Sequence, residues 1–254
     1  MAAETVDASP GPLELAVREL KIYADDSKAI FLAPFHWNAQ QAGLAVGAGV
    51  LTGTLIASDP ATAPWIQGHA SSATSQLSKI VTPFGSWAAF ATSGALLVSG
   101  IAFQETRLTM MGREALEACI LAGLMTDIAK PVFGRYRPYQ SDNETVFKPF
   151  SSYQSFPSGH ATVAFALASV VAARSDGWVI PAASYTLASL VAYSRVNDRQ
   201  HFLSDVVAGG LIGTAVGHFL VSRHDRAARE SGEQKAAEVT LFAIPGGLGV
   251  AARY

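Results

Sequence analysis

Apolar residues gather along this chain in long runs separated by short polar breaks. After Lys28 no Lys, Arg, Asp or Glu occurs until Asp59, and residues 42–58 within that window predict a first apolar helix. A second is predicted at 85–103, inside a charge-free stretch from Ile80 to Gln104. Residues 116–133 follow, interrupted by Asp127 and Lys130, and then 160–173, 178–194 and 203–221. Each run is long enough for a helix, and the breaks carry Gly, Pro, Asp, Asn or Ser. An amphipathic helix is predicted at 13–23, a solvated helix end at 222–238, and a small hairpin where 239–244 and 248–254 flank Pro245-Gly-Gly247. The expected architecture is an all-α bundle of about six core helices over residues 41–222. An N-terminal extension (1–40) precedes it and a charged tail with the hairpin (223–254) follows.

A chain of 254 residues can form one sizeable domain. Half of its residues are hydrophobic and only 15% are charged, and the predicted helices are rich in Ala, Gly, Ser and Thr, which lets helix backbones approach closely. A membrane span needs about 20 apolar residues. The first, second and fifth runs come near that; the third and fourth do not unless their polar ends face a cavity. An integral membrane bundle is therefore favoured over a soluble all-helical domain, with both open. A net charge of −2 argues against nucleic-acid binding. The single cysteine, Cys119, excludes an internal disulfide framework and reads as a packed thiol. Met1-Ala-Ala-Glu4 has neither the basic flank nor the apolar run of a signal peptide. Either a leader has been removed or the first apolar run does the targeting.

Four polar groups interrupt the apolar runs, each at a helix end. Lys130, Arg135 and Arg137 leave the third run, Pro157-Ser-Gly-His160 opens the fourth, Ser194-Arg195 closes the fifth, and His201 with Asp205 opens the sixth. If successive helices are antiparallel, all four meet at one end of the bundle. Lys130, Arg137 and Arg195 supply three cations, two of them planar forks suited to phosphate oxygens. Ser158 and Gly159 sit at a helix start, where free N–H groups favour an anion. His201 and Asp205 are spaced i and i+4, so the carboxylate can hold one ring nitrogen and leave the other to attack, while His160 is free to protonate a leaving oxygen. Singly, each residue has a plain explanation as a helix-end charge or cap; together they point to a phosphate site. Asp127 reads as a structural partner of Lys130 or of a neighbouring helix, and Arg135 and Arg199 read as contacts to the outer part of a substrate or as solvated charges.

These groups resemble the three-part signature of the type 2 phosphatidic acid phosphatase (PAP2) superfamily, which includes vanadium haloperoxidases and bacterial acid phosphatases. The parts are Lys130 with Arg137-Pro138, then Pro157-Ser158-Gly159-His160, then Ser194-Arg195 with His201 and Asp205. The resemblance implies in-line attack by His201 assisted by Asp205, a phosphohistidine intermediate, and His160 as general acid and then base. It implies phosphate binding by Lys130, Arg137, Ser158, Gly159 and Arg195. No carboxylate cluster for two metals is evident, so no metal or cofactor is expected, and vanadate is expected to act as inhibitor or phosphate mimic.

Seven Lys and Arg fall on the site end of such a bundle and ten on the other, which places both termini in the cytoplasm and the site outside, at a bacterial-type inner membrane facing the periplasm. The segment 139–156 holds Tyr139, Phe147, Phe150, Tyr153 and Phe156, a lid over an apolar substrate portion or plain loop packing. A lipid phosphate or diphosphate (phosphatidate, polyprenyl diphosphate or lipid A class) is the leading substrate. The rivals are a soluble periplasmic acid phosphatase released by signal cleavage, a vanadium-dependent haloperoxidase, and a catalytically silent lipid-binding protein of the same fold.

Overall fold

A computed structural model describes residues 12–140, 146–237, 240–244 and 247–251, with side chains described over 17–140 and 146–232. Its helices are α1 (Pro12–Leu32), α2 (Ala39–Gly68), α3 (Ser72–Val81), α4 (Trp87–Ala102), α5 (Thr106–Phe133), α6 (Gly159–Arg174), α7 (Val179–Asn197) and α8 (Leu203–Ala237). Two strands, β1 (Thr240–Ile244) and β2 (Gly247–Ala251), pair antiparallel at the expected hairpin.

All six apolar runs are helical, and their limits shift for identifiable reasons. α2 starts at a capping box: Asn38 Oδ1 accepts from the Gln41 N–H at 2.9 Å and Gln41 Oε1 from the Asn38 N–H at 3.0 Å. It then continues through Asp59, Pro60 and Pro64 to Gly68, past the expected stop at residue 58. α3 escapes the apolar count because it is amphipathic, but a reciprocal Ser71/Thr74 box marks its start. The 13–23 prediction is the first half of α1, and the charged tail continues α8 to Ala237 without a break.

α6 is the central helix, packed by α5, α7 and α8. Close approaches of Gly209, Gly213 and Gly217 follow α6 from Ser158 to Ser169, so α8 runs parallel to α6. α7 makes the return between them, and the tight passages of Gly100 against Thr109 and Gly112 against Leu97 show α5 returning along α4. The ends of α5 and α7 and the starts of α6 and α8 therefore share one face. The core between them is built of small residues, including fully buried Ala115, Ala118, Cys119, Ala122 and Ala166 beside Val170 and Leu220.

Glycine is what permits the α6–α8 contact. A Cβ on Gly213 would lie 2.1 Å from the Thr162 carbonyl oxygen, a backbone atom that cannot swing aside. Gly213→Ala should push the two helices apart and cost stability by about 1–3 kcal/mol, read as a lower melting temperature. Gly53→Ala, whose Cβ meets nothing within 4 Å, is the control expected to change little.

Two helices, α2 and Leu203–Gly232 within α8, are long and apolar enough to cross a membrane; the pair of α3 (with its 3-10 extension to Gly85) and α4, bent by 52°, would make a third. None of the apolar window of α2 is buried, and Leu44, Val46 and Val50 are each more than 60% exposed. Trp87, Val98 and Ile101 on α4, Val179 and Ile180 on α7 and Trp178 just before it are exposed as well. Apolar side chains exposed in such number suit lipid rather than water.

Candidate active site

The site is organised around a buried arginine. Gly134, in the left-handed conformation (φ 59°), closes α5 by donating its N–H to the Lys130 carbonyl at 2.8 Å, and turns the chain so that Arg135 points inward. A Cβ there would fall 1.8 Å from the Lys148 carbonyl oxygen, so the turn needs glycine. Arg135 has no exposed surface. Its guanidinium reaches Asp205 Oδ1 at 2.6 Å, Ser204 Oγ at 2.6 Å and Asp59 Oδ2 at 2.7 Å, and lies 4.2 Å from the centroid of Phe202 and 5.0 Å from that of Phe147. Both readings of Arg135 made from sequence, substrate contact and solvated charge, are corrected: it joins α2 to the start of α8 beneath the site. Asp59 explains the continuation of α2, since its carboxylate also accepts from the Ser204 N–H and hydroxyl.

His201 stands just before α8 and is 4% exposed. Its Nδ1 lies 2.7 Å from the Ser155 carbonyl oxygen and 3.6 Å from Asp205 Oδ2. A carbonyl can only accept, so Nδ1 carries the proton and Nε2 keeps its lone pair. The expectation that Asp205 would hold the ring directly is thus modified. The Ser155 backbone takes the ring hydrogen, and Asp205 in turn fixes Ser155 by accepting from its hydroxyl and from the Phe202 N–H at 2.9 Å. Burial pushes His201 below the usual histidine range, against the opposing pull of Asp205. A nucleophilic histidine must be neutral. With the group lowered, the acid limb of kcat/KM should fall below about pH 6.5 after correction for substrate ionisation, and a limb at or above that value would contradict this assignment.

Cations converge on the same point. Arg195, Lys130 and Arg137 all act electrostatically on His160, and Arg137 and Arg195 act on His201. Lys130 Nζ lies 3.3 Å from where a Cβ of Gly159 would be, so its ammonium rests against the bare start of α6. Lys130 also pairs with Asp127 at 2.7 Å, and Arg137 Nη1 donates to Gln200 Oε1 at 2.7 Å. The Ser158 N–H donates to the Asp205 carbonyl at 3.0 Å, tying the start of α6 to that of α8. Two buried polar atoms here have no hydrogen-bond partner, Ser158 Oγ and Arg195 Nε. Donors left unpaired among cations are what an arriving oxyanion would satisfy. All eight residues singled out from sequence (Lys130, Arg137, Ser158, Gly159, His160, Arg195, His201 and Asp205) are brought to this one end of the bundle.

A sequence profile described as the PAP2 superfamily matches residues 112–229, the stretch that carries all eight. Residues 112–229, which hold the site, match this superfamily. Two curated relatives of the PAP2 unit come from Porphyromonas gingivalis. One is a lipid A 1-phosphatase, 33% identical over 112 residues, which are 42% of this chain and 22% of the relative. The other is a lipid A 4'-phosphatase, 30% identical over 122 residues, 44% of this chain and 50% of the relative. The chain thus spans half or less of the length of these relatives. Among solved structures, a transmembrane PAP2-type phosphatidylglycerolphosphate phosphatase from Bacillus subtilis shares the fold with a TM-score of 0.53 and 19% identity, covering 83% of this chain and 96% of that one.

The site also uses residues that the sequence reading passed over. Asp59, Ser155 and Ser204 carry no motif, and only the charge at the end of an otherwise apolar run singled out Asp59. Of the aromatic segment, Phe156 is buried and packs edge-on to Phe133 and Phe147, and Tyr153 stacks on Tyr136 at 3.7 Å. Tyr139 and Phe150 are exposed, Arg199 is exposed with its guanidinium on the Pro138 carbonyl at 3.3 Å, and 141–145 lie outside the described residues.

Proposed function

We propose that this chain hydrolyses the phosphate monoester or diphosphate of a lipid through a phosphohistidine on His201. The observation that carries the reading is the His201 ring, its Nδ1–H donated to the Ser155 carbonyl and its Nε2 lone pair left in the field of Arg137 and Arg195.

In the first step Nε2 attacks phosphorus in line, the P–N bond forms, and the bond to the leaving oxygen breaks as His160 gives it a proton. In the second, His160 takes a proton from water, whose oxygen attacks phosphorus; the P–N bond breaks and inorganic phosphate leaves. Lys130, Arg137 and Arg195, with Ser158 Oγ and the Gly159 N–H, hold the equatorial oxygens, where negative charge concentrates in the transition state. Side-chain cations supply the stabilisation that a metal provides in other phosphatases, so turnover proceeds without a divalent ion. Vanadate, as a phosphate mimic, inhibits it.

The lipid part of the proposal rests on the apolar surface of α2, α4 and α7 and on the lipid substrates named for its relatives. The excess of Lys and Arg on the end opposite the site favours a cytoplasmic location for that end and a periplasmic one for the site. The test is a substrate panel in detergent micelles: phosphatidate, phosphatidylglycerophosphate, undecaprenyl diphosphate, lipid A and p-nitrophenyl phosphate, each with and without vanadate. One lipid should show the highest kcat/KM, suppressed by vanadate. Higher kcat/KM for the small ester than for every lipid would move the function to the soluble acid phosphatase class.

A further inference from the structure

A second polar cluster lies at the other end of the bundle, and the proposed hydrolysis makes no use of it. From Asp205 to His224 α8 rises roughly 30 Å. There His224 meets Asp26 of α1 and Glu114 and Glu117 of α5. Asp26 and Glu117 are buried. Asp26 Oδ2 lies 2.9 Å from His224 Nε2, Glu117 Oε2 lies 3.7 Å from the same nitrogen, and one ligand atom from each of the three residues falls within 4.8 Å of the others.

Glu117 makes this more than a group of acids. It is 0% exposed, and neither carboxylate oxygen accepts from an N–H or O–H donor; it faces the Asp26 carboxylate and, at 3.7 Å, His224 Nε2. A buried carboxylate left without hydrogen bonds is costly, and a cation or a proton must offset the charge. Burial and the adjacent Asp26 carboxylate favour a proton on Glu117, and a cation would take that proton's place. Glu114 is held by Arg174 through two 2.6 Å contacts and is therefore an ionised acceptor; it lies 3.1 Å from His224 Nδ1. That makes Nδ1 a donor to Glu114; Nε2 faces the Asp26 carboxylate at 2.9 Å in a second hydrogen bond and would release that proton on ligating, giving the carboxylate–histidine–metal arrangement found around bound metals. Tetrahedral ligands at 2.0–2.1 Å from an ion stand about 3.3 Å apart, and the 2.9 and 3.7 Å separations found here bracket that value.

We infer that Asp26, Glu117 and His224 form a site for one divalent transition cation, with Zn²⁺ the best fit to an imidazole and two carboxylates. Asp26 and His224 line a cleft of about 870 Å³, which gives the ion an entry path and room for water as a fourth ligand. Asp26 lies outside the 112–229 stretch shared with the superfamily, so the site would be particular to chains that carry α1. The ion would clamp α1 to α5 and α8. It plays no part in phosphoryl transfer at the far end.

The test uses the full-length protein in detergent with any affinity tag removed. It is stripped with chelator, reloaded with ZnCl₂, MnCl₂ or MgCl₂, desalted, and measured for metal content by mass spectrometry and for melting temperature. The wild type should retain one Zn²⁺ per chain and melt several degrees higher when loaded, with Mg²⁺ giving neither effect. Glu117→Gln and His224→Gln should lose both the retained ion and the shift. Wild-type protein that retains no metal and shows no shift would overturn the site, and so would a Glu117→Gln protein that binds as the wild type does. The wild-type measurement decides even if a variant fails to fold, and it is independent of whether the chain proves to be a phosphatase.

Discussion

Replacing His201 with Ala should reduce hydrolysis of every phosphate ester by about 10⁴-fold or more, because Nε2 supplies the bond to phosphorus. The cations would still bind substrate, so KM should change far less than kcat. The companion His160→Ala separates the two half-reactions. p-Nitrophenolate leaves with little need of a proton, so the first step should survive with that substrate. Activation of water should fail, and an acid-labile phosphoenzyme should accumulate. Rapid quench with ³²P-labelled substrate reads both: no phosphoenzyme in His201→Ala, a stable one in His160→Ala. Wild-type turnover in His201→Ala, or label on a different residue, would remove His201 as nucleophile.

That prediction draws on the part of the molecule most legible in the sequence. The eight polar residues stand at the ends of apolar runs, and alternating helix direction alone brings those ends together. The supports beneath them were not legible, since each is set by a distant partner. Asp59 followed by Pro60 reads as a helix stop, yet α2 continues through both, with the Asp59 charge taken up by Arg135 and Ser204. His201 donates its hydrogen bond to a backbone carbonyl, a group every residue has, so no side-chain pattern announces Ser155. α3 went unseen because an amphipathic helix makes no apolar run, although Ser71 and Thr74 mark its start. The Asp26, Glu117 and His224 cluster joins three helices far apart along the chain, with no local spacing to reveal it.

Arg135→Ala should be the most damaging change outside the reacting groups. It would leave the fully buried carboxylates of Asp59 and Asp205 without their shared cation, a loss of about 3–5 kcal/mol for breaking a buried ion pair. Catalysis should fall with stability even in molecules that remain folded, because Asp205 orients Ser155, and Ser155 orients His201. Arg135→Lys keeps the charge but not the fork that bridges both carboxylates at once, so it should recover part of the stability and little of kcat. A double-mutant cycle with Asp59→Asn identifies the cause: removing the Asp59 charge should cost stability in the wild type and much less, or nothing, beside Arg135→Ala. Additive losses would mean that Arg135 does not act through Asp59, leaving its contacts to Asp205 and Ser204 and its packing against Phe147 and Phe202. An unchanged kcat in folded Arg135→Ala would detach it from His201. In the expected outcome Arg135 is a positioning residue: it touches no substrate, yet it sets the ring that does.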